Sequence, residues 1–117
     1  MLDVERAGEL FAAFGPVRCR PMFGGTGVYA RDVMFALEVR DVLYLKTDAS
    51  TQAPFEAEGC GPFSYDTARG KRTIASYWRA PDRLLDDPEE LAAWAVRALA
   101  VALSRKQRSP RKRPGQT

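Results

Sequence analysis

Histidine is absent from the 117 residues, and cysteine occurs only twice, at Cys19 and Cys60. Without histidine the chain lacks the commonest general base at neutral pH and the commonest metal ligand, and the Cys-His route to a reactive thiolate is closed. The two cysteines share no CxxC-like spacing, so both read as reduced thiols of a cytoplasmic protein. Long hydrophobic runs are also missing. The longest, from Trp94 to Leu103, is alanine-rich and far from the roughly 20 residues that span a bilayer, so no membrane association is expected. Nor does the N-terminus show the charged start and apolar run of a secretory signal.

The sequence does have alternation. From Arg20 to Thr47, apolar residues recur at every second position through three runs, separated by Gly24, Gly25 and Gly27 and by the pairs Arg31-Asp32 and Arg40-Asp41. That pattern reads as a strand-turn-strand-turn-strand meander, and a pass along the chain places strands near Val17–Met22, Gly27–Ala30, Met34–Val39 and Val42–Lys46. A further strand is expected over Pro62–Tyr65. Another, Arg72–Arg79, follows the basic loop Ala68-Arg69-Gly70-Lys71.

Helices fill the remainder. Asp3 caps a first helix with Ala7, Leu10, Phe11 and Phe14 on one face, ended by Gly15-Pro16. Asp48 starts a second, with Ala53–Glu58 as its body and Gly59 as its stop. In DDPEE, Asp87 is the N-cap, Pro88 the first helical residue, and Glu90 reaches back to complete a capping box. Leu91, Trp94, Ala95, Ala98, Leu99, Ala102 and Leu103 then trace an apolar stripe. The fold class implied is α+β in two layers, an antiparallel β-meander sheet covered on one face by N-terminal, middle and long C-terminal helices.

Charge is unevenly distributed. Residues 1–104 carry a net −3, whereas Arg105–Thr117 carries +6 and no acid. This divides the chain into a folded domain, 1–104, and a basic tail, 105–117, in which Pro110, Pro114 and Gly115 accompany no apolar residue, so disorder is expected there. Arg105, Lys106, Arg108, Arg111, Lys112 and Arg113 are able to follow a phosphate backbone without reading bases. Full engagement would give a log-log salt slope of about −4 to −5. A tail that only solubilises the protein is the competing reading.

Across nearly all of the folded part, an ordered series of motifs resembles the N-terminal domain of the TfoX/Sxy competence regulators. The series comprises Pro21-Met22-Phe23-Gly24-Gly25, Gly27-Val28-Tyr29, Met34-Phe35-Ala36-Leu37, Leu43-Tyr44-Leu45-Lys46, Phe55, Gly59, Pro62-Phe63-Ser64-Tyr65, Ser76-Tyr77, Pro81 and Leu91-Ala92-Ala93-Trp94-Ala95. The resemblance implies a non-enzymatic domain without cofactor or metal. It also implies a transcription-factor partner, since family members act as coactivators with the cyclic-AMP receptor protein. A two-layer architecture of the secretion-chaperone type, often dimeric, is implied too. Full-length family members carry a second, helical domain; here the closing helix is followed only by the basic tail, and activities of that second domain do not transfer.

Each motif has a plainer reading as well. The glycines of GGTG, at Gly24, Gly25 and Gly27, lack the GxxxxGK[ST] and GxGxxG spacings and join strands, which favours a turn over a phosphate cradle. Met22, Phe23, Gly24 and Gly25 form either an interaction edge or ordinary core. Cys60 reads as an unreactive thiol, and Asp86, Asp87, Glu89 and Glu90 as helix capping and not a cation site. Two functions from different classes stay open: a regulatory interaction module, or a small enzyme or ligand-binding domain with a pocket between sheet and helices near Tyr44, Lys46, Tyr77 and Arg79. A homodimer joined at a sheet edge is a further expectation.

Overall fold

The computed structural model describes residues 2–22 and 24–107, with only the backbone of 106 and 107. In chain order the elements are α1 (Val4–Leu10), β1 (Arg18–Met22), β2 (Gly25–Ala30), β3 (Val33–Val39), β4 (Val42–Lys46), α2 (Ala53–Ala57), β5 (Pro62–Thr67), β6 (Gly70–Arg79), a 3₁₀ helix (Asp82–Asp86) and α3 (Pro88–Gln107). All six strands join one antiparallel sheet in the order β1-β2-β3-β4-β6-β5. The chain is a meander only as far as β4. There α2 carries it past one position, so that β6 returns to pair with β4 and β5 forms the edge. β5 suits an edge because Pro62 opens it, where a missing N–H costs no ladder bond, and Asp66 and Thr67 end it.

Both predicted Arg-Asp pairs are tight hairpin turns. Arg31 and Asp32 have φ of 51° and 66°, and Arg40 and Asp41 of 54° and 67°. Positive φ at both central positions is the type I′ geometry, whose twist matches that of the flanking strands. In β3 the partner of Val28 is Ala36 and that of Tyr29 is Met34, which leaves Phe35 as an extra, bulged residue. Phe35 and Ala36 consequently both belong to the cluster beneath the helices, although they are consecutive.

The core lies between one sheet face and the helices. Val28, Phe35, Ala36, Leu43, Leu45 and Trp78 pack there with Ala7, Phe11, Phe55, Leu84, Leu91 and Trp94. Phe35 is held edge-on by Phe11 at 5.4 Å between centroids, and Phe55 meets Trp94 at 4.9 Å. α3 lies against β3 and β4 with Ala95, Ala98 and Ala102 buried, the small residues that allow a helix to approach a sheet closely. Val101 is buried as well, one position off the expected stripe.

Two capping expectations need correction. Asp48 does not cap α2: its Oδ1 accepts from Ser50 N and Oγ at 2.9 and 2.6 Å, closing a turn one step upstream, and α2 begins after Gln52 without a side-chain cap. At α3, Asp87 Oδ1 does accept from Glu90 N at 3.2 Å, but the Glu90 carboxylate is engaged elsewhere. It accepts from Arg83 Nη1 at 2.7 Å and Trp94 Nε1 at 3.3 Å, so the box is half formed. The α1 cap is as read, with Asp3 Oδ1 accepting from Arg6 N at 2.8 Å.

Candidate interaction surfaces

The glycine corner joins β1 to β2. Gly24 has φ of 75°, a left-handed conformation that favours glycine, and a Cβ on Gly25 would collide with the Glu38 backbone carbonyl. These two residues therefore carry the geometry of a strand connection. Met22 belongs to a cluster on the sheet face away from the helices, while Phe23 lies outside the described residues. Beside the corner, Leu2, Val4, Cys19, Pro21, Met22 and Gly24 help line an apolar groove of about 470 Å³.

Hydrogen-bonded to Leu2 is a residue that sequence reading missed. Glu38 is 5 % exposed, and its two carboxylate oxygens accept from Leu2 N at 3.2 Å and Asp41 N at 2.7 Å. Thr26 Oγ1 donates to Leu2 O at 3.0 Å. Together they tie the start of the chain to the β3-β4 hairpin. Only an acid at an inward strand position signalled this, and alternation alone does not distinguish it from a solvent-facing one.

Tyr44, Lys46, Tyr77 and Arg79 are brought together, but not between sheet and helices. They are cross-strand neighbours, Tyr44 opposite Arg79 and Lys46 opposite Tyr77, and Tyr44 and Tyr77 pack in the cluster on the open face. Each already has a partner. Tyr77 Oη donates to Met34 O at 3.1 Å, the Lys46 ammonium lies 4.8 Å from the centroid of the Tyr77 ring, Tyr44 meets Phe63 edge-on, and Arg79 pairs with Asp82 at 3.1 Å. Burial, and then the charge of Arg105, lower the pKa of Lys46, while burial raises that of Tyr77. Tyr44 and Arg79 line separate cavities.

The remaining candidates have plain surroundings. Cys19 and Cys60 are free and half-buried, and burial pushes both thiols above the usual cysteine range, which keeps them protonated at neutral pH. Among the described residues no cluster of three or more Cys, Asp and Glu side chains is placed to hold a metal. Arg83 joins Glu58 at 2.5 Å and Glu90 at 2.7 Å, bridging α2, the 3₁₀ helix and α3. Arg105 is an exposed residue of α3, which continues to Gln107. Arg108, Arg111, Lys112 and Arg113 lie outside the described residues, as does the Lys106 side chain.

The sheet face opposite the helices shows a charge pattern that segment totals concealed. Register places Arg20, Gly27, Leu37, Tyr44 and Arg79 in one row across five strands. A second row holds Arg18, Tyr29 and Met34, with Lys46 and Tyr77 beyond them, and the hairpin adds Tyr65 opposite Arg72. None of these positions is acidic. The acids Asp32 and Asp82 stand at the rim, paired with Arg18 and Arg79. The acid-leaning balance of the body thus resides mainly in the helical layer and the turns.

A six-stranded antiparallel sheet with helices packed on one face defines a small α+β domain. Residues 9–102 match the TfoX N-terminal domain family, and the chain belongs to that family. It is also 35% identical over 72 residues to the DNA transformation protein TfoX1 of Aliivibrio fischeri, a match covering 62% of this chain and 33% of that protein. The chain thus spans about a third of the length of this relative. No helix among the described residues is long and apolar enough to cross a membrane.

Proposed function

We propose that this chain is a non-enzymatic regulatory domain of DNA transformation that acts through contacts with other macromolecules, a transcription factor foremost. The observation that carries the reading is the family match over residues 9–102, together with a relative named for DNA transformation. The chemistry of the surfaces agrees with it: Lys46, Tyr77 and Arg79 are engaged in packing and pairing, and both thiols are held protonated. On this reading the basic run from Arg105 to Arg113 adds sequence-blind attraction to DNA, which concentrates the domain near promoters without choosing them. A second copy joined at a sheet edge is part of the same proposal.

The test is genetic and biochemical. Deleting the gene in its native host is expected to lower transformation frequency and the transcripts of DNA-uptake genes, and the full chain, tagged, is expected to retain a transcription factor from that host. Unchanged transformation and transcripts in the deletion strain would contradict the proposal.

A further inference from the structure

We infer that the hairpin of β5 and β6 is an arm that enters the major groove of duplex DNA. The hairpin outruns the sheet. β6 has 10 residues, yet β4 pairs with it only over Tyr77–Arg79, so that Ser64–Thr67 and Gly70–Thr73 pair with each other alone. At about 3.4 Å per residue those pairs reach roughly 14 Å past the sheet. Every residue from Asp66 to Thr73 is exposed.

The arm is cationic and its turn is already ordered. Arg69, Lys71 and Arg72 lie at or beside the tip, Asp66 is the one acid between Pro62 and Arg79, and none of the three cations is ion-paired among the described residues. Thr67 fixes the turn without them: its Oγ1 donates to Gly70 O at 2.7 Å and accepts from Arg69 N at 3.1 Å. Cations held on a formed turn meet phosphates with little further ordering cost.

The placement of α3 is an independent observation that points the same way. Leu43 and Pro88 line one cavity, which sets the start of α3 beside the start of β4, and Arg105 is near enough to Lys46 to lower its pKa. α3 therefore runs alongside β4 and passes the same end of it. β6 is antiparallel to β4 with Tyr77 opposite Lys46, so the residues preceding Tyr77 leave the sheet at that end too. The arm and the root of the basic run Arg105–Arg113 thus share one end of the molecule, where a single duplex can engage both.

The shape of the arm selects among polyanions. Two strands about 4.8 Å apart fit the major groove of B-form DNA, about 12 Å wide and 8.5 Å deep, whereas the deep, narrow groove of A-form RNA does not admit them. An acidic protein segment matches the charge alone. The inference takes from the regulatory reading only the presence of DNA, and it is read separately, by duplex affinity and not by transformation frequency.

The experiment measures fluorescence anisotropy of a labelled DNA duplex of about 20 base pairs, and of an RNA duplex of equal length, with the full chain at several salt concentrations. DNA is expected to bind more tightly than RNA. With the tail intact, Arg69→Gln/Lys71→Gln/Arg72→Gln, all at exposed positions, should weaken DNA about tenfold and reduce the log-log salt slope by about 2 to 3. Arg6→Gln/Arg40→Gln, exposed at the opposite end of the sheet, should bind as the native chain does. Unlabelled duplex should displace the labelled DNA at lower charge concentration than polyglutamate. Native affinity and salt slope in the hairpin variant would overturn the inference, even if substituting Arg108, Arg111, Lys112 and Arg113 abolishes binding, an outcome that leaves the regulatory reading standing. An equal loss in Arg6→Gln/Arg40→Gln, RNA bound as tightly as DNA, or polyglutamate competing as well as duplex would also overturn it.

Discussion

Lys46 and Tyr77 face each other across β4 and β6, the ammonium 4.8 Å from the ring centroid, and the same tyrosine donates its hydroxyl to Met34 O. One aromatic side chain thereby fastens three neighbouring strands from the side the helices leave open. Leu37, wholly buried on that side, shows that the open face has a small core of its own.

The burial of Lys46 makes stability depend on pH in the alkaline range. Its folded pKa is lowered, so near that pKa the unfolded chain binds more protons, and stability rises with pH up to the ordinary lysine value of about 10.4. Urea denaturation of the native chain and of Lys46→Met between pH 8 and pH 11 checks this. The difference in midpoint should move in favour of the native chain as pH rises; a constant difference would show that Lys46 titrates normally.

At the acid end the bridge through Arg83 contributes. Hydrogen bonds from Arg83 hold the carboxyls of Glu58 and Glu90 below the usual glutamate range, so their contribution is present above the unfolded value of about 4.3 and is lost as pH falls through the folded values. Arg83→Gln should therefore lower the thermal midpoint at pH 7 and have no effect near pH 2. The three-residue bridge is solvent-edge, with Arg83 48 % exposed, and the loss is expected to be a few degrees.

The hairpin turn at Arg31 and Asp32 holds two non-glycine residues in left-handed conformation. Asn-Gly at these positions relieves that cost at the expense of an exposed ion pair between Arg18 and Asp32. A net gain of about 1 kcal/mol, or roughly 5 °C in thermal midpoint, is expected by differential scanning calorimetry.

Gly25 and Gly61 make a contrasting pair. Gly25→Ala drives a methyl into the Glu38 carbonyl and must part β2 from β3, at a cost of about 3 kcal/mol, whereas a methyl on Gly61 meets nothing within 4 Å. Urea melts of both variants test this, with Gly61→Ala expected to match the native chain.

Local signals made much of this architecture legible. Period-two alternation located β1 to β4 within a residue or two, and Asp3, Gly59 and Asp87-Pro88 marked real element ends. Relations between distant segments were hidden. The return of β6 to β4 rests on pairings such as Leu45 with Trp78, which no local pattern encodes, and the 3₁₀ helix at Asp82–Asp86 is too short for a periodic signal. Capping failed where a tertiary partner competed, as when Arg83 and Trp94 drew the Glu90 carboxylate from its box. The basic face escaped notice for the same reason: Arg18, Arg20, Lys46, Arg72 and Arg79 are scattered in sequence, and only register assembles them.

The most direct measurement for the account is co-purification of a transcription factor from the native host with the full, tagged chain. Retention of the factor is predicted. No retained factor, with transcripts of DNA-uptake genes unchanged in the deletion strain, would contradict it.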